Sequence, residues 1–131
     1  DAQDALDGAA ARLKEITGVE AQTAPRIGKK LDTIRAVLDE DEDIVGILTM
    51  VECLSISAGG KYGVINELYV VPEYRSEGVG KMLIDEAKDL IESRDWKRLE
   101  LTTPGDEFSK TLRFYEREGF YKIGPRYCFP I

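Results

Sequence analysis

Apolar and polar residues recur along this chain with two different periods, and the change of period divides it. From Ala2 to Ile16, the residues Leu6, Ala9, Ala10, Leu13 and Ile16 share one helical face, and Thr17-Gly18 closes the stretch. An amphipathic helix is expected there. Pro25 to Asp32 reads as a loop or a short helix. Thr33 to Leu38 and Ile44 to Leu54 are β-branched and apolar runs, separated by the consecutive acids Asp39 to Asp43. Acids between two strands read first as a solvated hairpin turn. Ser57 to Lys61 marks another turn, and Tyr62 to Val71 a further strand ended by Pro72.

Helical spacing then returns. Val79, Met82, Leu83, Ala87, Leu90 and Ile91 predict a helix from about Gly78 to Arg94. Arg98 to Thr103 reads as a strand and Pro104-Gly105-Asp106 as a turn. Phe108 to Glu118 reads as a second helix, with Gly119 where a left-handed C-cap belongs. Phe120 to Ile131 is expected to form a last strand or hairpin, kinked at Gly124-Pro125. The strand–helix–strand unit between Tyr62 and Thr103 requires a right-handed crossover and a parallel pair. The expected class is α/β (α+β), with a mixed, mostly antiparallel sheet.

Composition narrows the chemistry. The 131 residues suit one domain with one core, residues 1–131. There are 25 acidic and 18 basic residues, a formal charge of −7, and no histidine. Without histidine there is no Ser-His-Asp or Cys-His nucleophile and no imidazole proton shuttle, and zinc loses its commonest ligand. No metal is expected. The acidic balance argues against nucleic acid and would suit a cationic partner. Cys53 and Cys128 are too few for a metal site and form no CxxC. Their apolar neighbours Val51, Leu54, Tyr127 and Phe129 point to two buried thiols in a reducing compartment, with a disulfide left open. No run approaches the roughly 20 apolar residues of a membrane span, and no signal peptide is visible. A cytoplasmic location without membrane attachment is the expectation. The chain opens on Asp1 with no initiator methionine, which fits a trimmed front.

The informative stretch runs from Val70 to Lys81, V-V-P-E-Y-R-S-E-G-V-G-K. A strand ends at proline, a glycine-bearing loop follows, and a helix begins. Unpaired N–H groups at a helix start, with the helix dipole behind them, bind phosphate without metal. Gly78 and Gly80 let an anion approach the backbone, and Arg75 and Lys81 can add charge at the rim. The plainer alternative is a tight turn that packs helix on sheet. Neither the G-x-x-x-x-G-K-[ST] nor the G-x-G-x-x-G fingerprint is present.

This stretch resembles the GCN5-related N-acetyltransferase (GNAT) superfamily, whose acetyl-CoA motif is R/Q-x-x-G-x-G/A after a strand of the type E-L-Y-V-x-P-E-Y. Asn66 to Gly80 is close to that pattern throughout. A second family signature, F-Y-x-x-x-G-F, is matched by Phe114 to Phe120, with Tyr115 about 35 residues beyond Gly80. The match covers Ile34 to Phe120 well. The first helix fits loosely, the family's first strand is not apparent, and the tail is short for the family's two closing strands. The resemblance implies the acyl-CoA N-acyltransferase fold, with a splayed parallel strand pair and helices on both faces of the sheet.

It further implies acetyl-CoA as co-substrate and an acetyl group moved directly from the thioester to a primary amine of a small molecule or peptide. The pyrophosphate would lie on the N–H groups of about Ser76 to Lys81, including Glu77, Gly78, Val79 and Gly80. The pantetheine arm would run along Leu68, Tyr69, Val70 and Val71, recognised like a strand. A direct transfer needs no enzyme nucleophile, so the missing histidine is no obstacle. Tyr115 is the expected acid, since a phenol with a pKa near 10 stays protonated at neutral pH. Its alternative role is an aromatic packed on the sheet. Glu100 is the first candidate for the base and Glu67 the second; each could equally be an edge carboxylate or a salt-bridge partner. A main-chain N–H near Tyr69 or Val70 is the expected polarising donor. Many family members carry Asn seven residues before the tyrosine; that position is Phe108 here, and Ser109 is the nearby substitute for a cofactor contact. The acids Asp39–Asp43 would favour a cationic acceptor. The alternative reading is a non-catalytic acyl-CoA-binding or regulatory module. Trp96 reads as packing. The apolar tail Tyr127–Ile131 is expected to be a buried or shared strand, consistent with the homodimers common in the family.

Overall fold

The computed structural model describes residues 25–103 and 108–131. Five strands form one sheet in the order β1 to β5: β1 Arg26–Leu31, β2 Ile34–Leu38, β3 Ile44–Ser55, β4 Gly60–Val70 and β5 Leu99–Leu101. Helix α1 spans Val79–Ser93 and helix α2 Ser109–Arg117, and a short 3-10 turn at Pro72–Tyr74 links β4 to α1. Strands β1 to β4 run antiparallel, and β5 joins β4 in parallel after the α1 crossover. The mixed, mostly antiparallel sheet with one parallel pair and flanking helices agrees with the expected class. The helix expected over Ala2–Ile16 and the turn at Pro104-Gly105-Asp106 lie outside the described residues.

Three expectations are corrected. Pro25–Asp32 is neither loop nor helix, for Arg26–Leu31 is a strand paired to β2 through a tight turn in which Asp32 takes a φ of 44°. Its sequence, R-I-G-K-K-L, hides the strand because a bulge between Ile27 and Lys29 breaks the alternation and Lys29 is buried, only 1% exposed. The segment Phe120–Ile131 forms no strand. Tyr127 and Phe129 are 96% and 88% exposed, so within this chain the apolar tail is not buried and pairs with no described strand. The thiols are not buried either; Cys53 is half-buried, Cys128 is exposed, and both are free.

The core explains where α1 sits. Val79, Leu83, Ile84, Ala87 and Leu90 form its buried face and meet Val37, Val45, Leu48, Met50 and Ile65 of the sheet. Each fully buried Val, Leu or Ile contributes about 1.5–3 kcal/mol relative to exposure. The helix comes down on β3 where Gly46 offers no side chain; a Cβ there would lie 2.7 Å from Val79 Cγ1. Glu86 of α1 pairs with Arg35 of β2 at 3.2 Å and with Lys30 at 3.3 Å. A second apolar cluster, Ala36, Leu38, Ile44 and Ile47 with Tyr69 and Val71, forms around other positions of β2, β3 and β4. Trp96 is buried in the first cluster, in keeping with a packing role.

Candidate active site

The site starts from a misfit between β4 and its two neighbours. Strand β5 pairs with β4 only from Gly63 to Ile65, whereas β3 stays paired with β4 as far as Val70. The register slips at that boundary: Thr49 faces Glu67 but Met50 faces Ile65, which leaves Asn66 as an extra residue on β4. A bulge increases local twist and bends the strand that carries it. Ile65 and Leu68, three residues apart, both reach the cluster under α1, as the bulge requires. Beyond it the pairing of β4 with β5 stops, and one edge of Leu68–Val70 has no strand partner among the described residues.

Ladder parity decides which peptide groups face that gap. The Val71 N–H donates to the Val45 carbonyl at 2.9 Å, so Val71 and Tyr69 direct their main-chain groups at β3. Leu68 and Val70 turn theirs the other way. Arg75 Nε donates to the Val70 carbonyl at 3.0 Å and leaves the Val70 N–H on the open side. Of the two polarising donors expected from sequence, Val70 therefore has the suitable direction. The Arg75 guanidinium also lies over the Tyr69 ring, 5.6 Å from its centroid, so this cation braces the end of β4.

The glycine loop curls beyond that end. Ser76 and Gly78 take positive φ of 65° and 86°, and Gly78 is the N-cap of α1 with no side-chain cap bond. The first turn of α1 contains no acid. Its N–H groups are thus left for a ligand. A Cβ on Gly78 would meet nothing within 4 Å, whereas one on Gly80 would lie 3.3 Å from Phe114 Cζ of α2. Lys81 points its ammonium at Glu118, 3.3 Å away, and Asp85, 3.4 Å away, and these partners raise its pKa. Main-chain groups with open space beside Gly78, an unpaired strand edge and nearby cations together fit an extended thioester carrying a pyrophosphate.

Helix α2 brings Tyr115 to the same cluster as Leu68 and Val70. Its ring packs 5.3 Å from Phe114 and edge-on, 5.9 Å, to Phe120. Burial pushes the phenol above its usual value, so it holds its proton more firmly than a free tyrosine. The packing role expected for Tyr115 is therefore present, and its phenol stays protonated at neutral pH. Leu99 and Leu101 face that cluster, and alternation turns Glu100 to the opposite face of β5. Glu67, next to Tyr69 and Leu68 on the splayed part of β4, projects to that opposite face as well. The two carboxylates flank the gap from one side and Tyr115 from the other. Glu100 is held by Arg98 Nε at 2.6 Å, and Arg98 lies over the Tyr62 ring at 5.5 Å. Glu67 is exposed.

Ser109 is exposed in the first turn of α2, and Phe108, its N-cap, offers no capping bond. The acidic turn Asp39–Asp43 is a hairpin turn as expected: Asp39 Oδ1 accepts the N–H groups of Asp41 and Asp43, each at 2.9 Å. Sequence reasoning did not place this turn. Tyr74, in the bridge from β4 to the glycine loop, has its pKa raised first by desolvation, then by the charges of Asp39, Glu77, Glu40 and Asp41. The bond from the Val71 N–H to Val45 puts the turn between β2 and β3 at the same end of the sheet as the loop that follows β4. The bulge at Asn66 and the Glu118 pairing of Lys81 were also missed, since neither leaves a local signature in composition or period.

A family model described as an acetyltransferase (GNAT) domain matches residues 33–122. The uncharacterized N-acetyltransferase YhfO of Bacillus subtilis is 26% identical over 109 residues, 83% of this chain and 72% of that protein. An acetyltransferase of Trypanosoma brucei has a similar fold, with a TM-score of 0.65 and 22% identity over 95% of this chain and 77% of its own. A provisionally assigned acetyl transferase of Pyrococcus furiosus gives a TM-score of 0.66 at 22% identity, over 75% of this chain and 64% of its own, so this chain spans less than two thirds of it.

Proposed function

Because the chain belongs to the GNAT acetyltransferase family, we propose that it transfers the acetyl group of acetyl-CoA directly to a primary amine of a small molecule or peptide. The observation that carries this reading is the gap between β4 and β5, with the glycine loop at one end and the half-buried phenol of Tyr115 at its side. Acetyl-CoA, as co-substrate, would supply the activated acyl thioester. Leu68 and Val70 would hydrogen-bond its extended arm as a neighbouring strand would. The loop Arg75–Lys81 would hold the pyrophosphate by main-chain N–H groups. The Val70 N–H would draw negative charge onto the carbonyl oxygen. Tyr115 would give its proton to the departing thiolate. Glu67 or Glu100 would take the proton that the amine must lose to present a lone pair. Of these two, Glu100 is paired with Arg98, whereas Glu67 is exposed and open to an incoming amine.

A screen of amines with acetyl-CoA, read by release of free thiol, tests the reading. Thiol release that depends on an amine is expected, and Tyr115→Phe should slow it about 10²–10⁴-fold with acetyl-CoA affinity nearly unchanged. Binding of acetyl-CoA without transfer to any amine would leave a non-catalytic binding module in its place.

A further inference from the structure

Helix α2 reaches α1 at two consecutive residues of the glycine loop. Phe114 rests against Gly80, and Glu118 pairs with Lys81 at 3.3 Å. The Glu118 carboxylate is 10% exposed, a costly position for a charge unless cations meet it. Two do. Lys88 lies 4.0 Å from the same oxygen and donates to the Glu118 main-chain carbonyl at 2.6 Å, satisfying one of the last carbonyls of the helix end. Lys81 and Lys88 are seven residues apart and share one face of α1. The clasped residue is also tied to the phenol's own backbone. The N–H groups of Glu118 and Phe120 both donate to the Tyr115 carbonyl, at 3.1 and 3.0 Å. A short chain of contacts thus runs from the anion-binding turn, through Lys81 and Glu118, to Tyr115.

We propose that Glu118 is a positioning residue, which holds Lys81 so that an anion in the glycine loop and the seating of Tyr115 stabilise each other. The proposal rests on the acetyltransferase reading for its catalytic consequence only. Lys81 has three ammonium donors, and Glu118 and Asp85 engage two of them. The flexible stem is thereby ordered before a ligand arrives, and less freedom is lost when a phosphate takes the remaining donor. Reciprocity requires that the anion, in turn, tighten the end of α2.

The test is hydrogen exchange of the Glu118, Gly119 and Phe120 amides, with and without inorganic pyrophosphate or CoA, joined to steady-state kinetics. In the wild-type protein either anion should slow exchange at these amides. In Glu118→Gln the slowing should vanish, kcat should fall about 3–10-fold, and the KM for acetyl-CoA should change less than kcat does. Glu118→Asp, which keeps the charge, should recover part of both effects; a purely structural role would lower the melting temperature in both variants without touching the anion-dependent difference. Retention of that difference in Glu118→Gln, or an unchanged kcat, overturns the proposal. If the wild-type protein releases no thiol but pyrophosphate still protects α2, the transfer reading fails and the clasp stands.

Discussion

Gly78 and Gly80 stand two residues apart in one motif and answer to different requirements. Gly78 is set by its backbone, with a φ of 86° and open space where a Cβ would point. Gly80 is set by its neighbour, the Phe114 ring of α2. Gly78→Ala should therefore cost on the order of 1 kcal/mol in the loop and weaken CoA binding several-fold, while α2 stays seated. Gly80→Ala should shift the Phe114 ring by a few tenths of an ångström and lower kcat through α2, while the roughly 1 kcal/mol by which a helix favours Ala over Gly offsets the crowding. Calorimetric CoA titration beside thermal denaturation separates the two; equal effects on affinity and kcat from both variants would refute the distinction. Tyr115 gives a second residue-scale expectation. Desolvation of its half-buried phenol raises the pKa above the usual 10, so turnover should persist to pH 10 and fall only as the pH rises past that value. Stability follows the same sign. The unfolded chain releases this proton near pH 10, the folded one only higher, so burial of Tyr115 disfavours folding progressively above pH 10. A kcat profile whose alkaline limb is identical in Tyr115→Phe would remove the phenol from the mechanism.

At the scale of elements, α1 and α2 were legible because apolar residues recur on one helical face, β2 and β3 because they are continuous apolar runs buried on both faces over most of β2 and the first half of β3, and the start of β4 because its burial alternates. Strand β1 was not, because its bulge and its buried Lys29 remove the alternation on which the reading depends. The splay was legible only through a family resemblance. Its physical cause, the extra residue Asn66, is a matter of register between two strands, and register does not show in one strand's pattern. The tail misled for the opposite reason: Tyr127, Phe129 and Ile131 alternate as a strand would, yet no described neighbour pairs with them. The acidic turn was read correctly as a turn and left without an address. Its position beside Tyr74 and the loop has a consequence. Glu40 and Asp41 should repel an anionic ligand, whereas Asp39 is needed to close the turn. Neutralising both in Glu40→Gln/Asp41→Asn should tighten CoA binding by a few-fold in low salt and by less near 0.15 M, where the Debye length is about 8 Å. Weaker CoA binding, or a raised KM for a cationic amine alone, would assign the turn to the acceptor instead.

The whole molecule ties these scales together through its stability. The glycine loop, the free edge of β4 and α2 belong to three elements that meet only in the folded chain, so an unfolded chain offers no site of that shape. A ligand that binds only the folded state stabilises it by mass action, by about 2.7 kcal/mol at a hundredfold excess over Kd. For a domain of this size that corresponds to a rise in melting temperature of roughly 6–15 °C. The absence of histidine keeps imidazole titration out of the response between pH 6 and 8, so any change in the shift across that range should follow the second ionisation of the ligand's phosphate monoester, at about pH 6. Thermal denaturation with and without CoA checks both statements. Gly78→Ala should reduce the shift and Tyr115→Phe should preserve it, because under the proposed reading one alters the loop that holds the ligand and the other only the proton donor. A flat melting response to CoA in the wild-type protein would refute binding and transfer together.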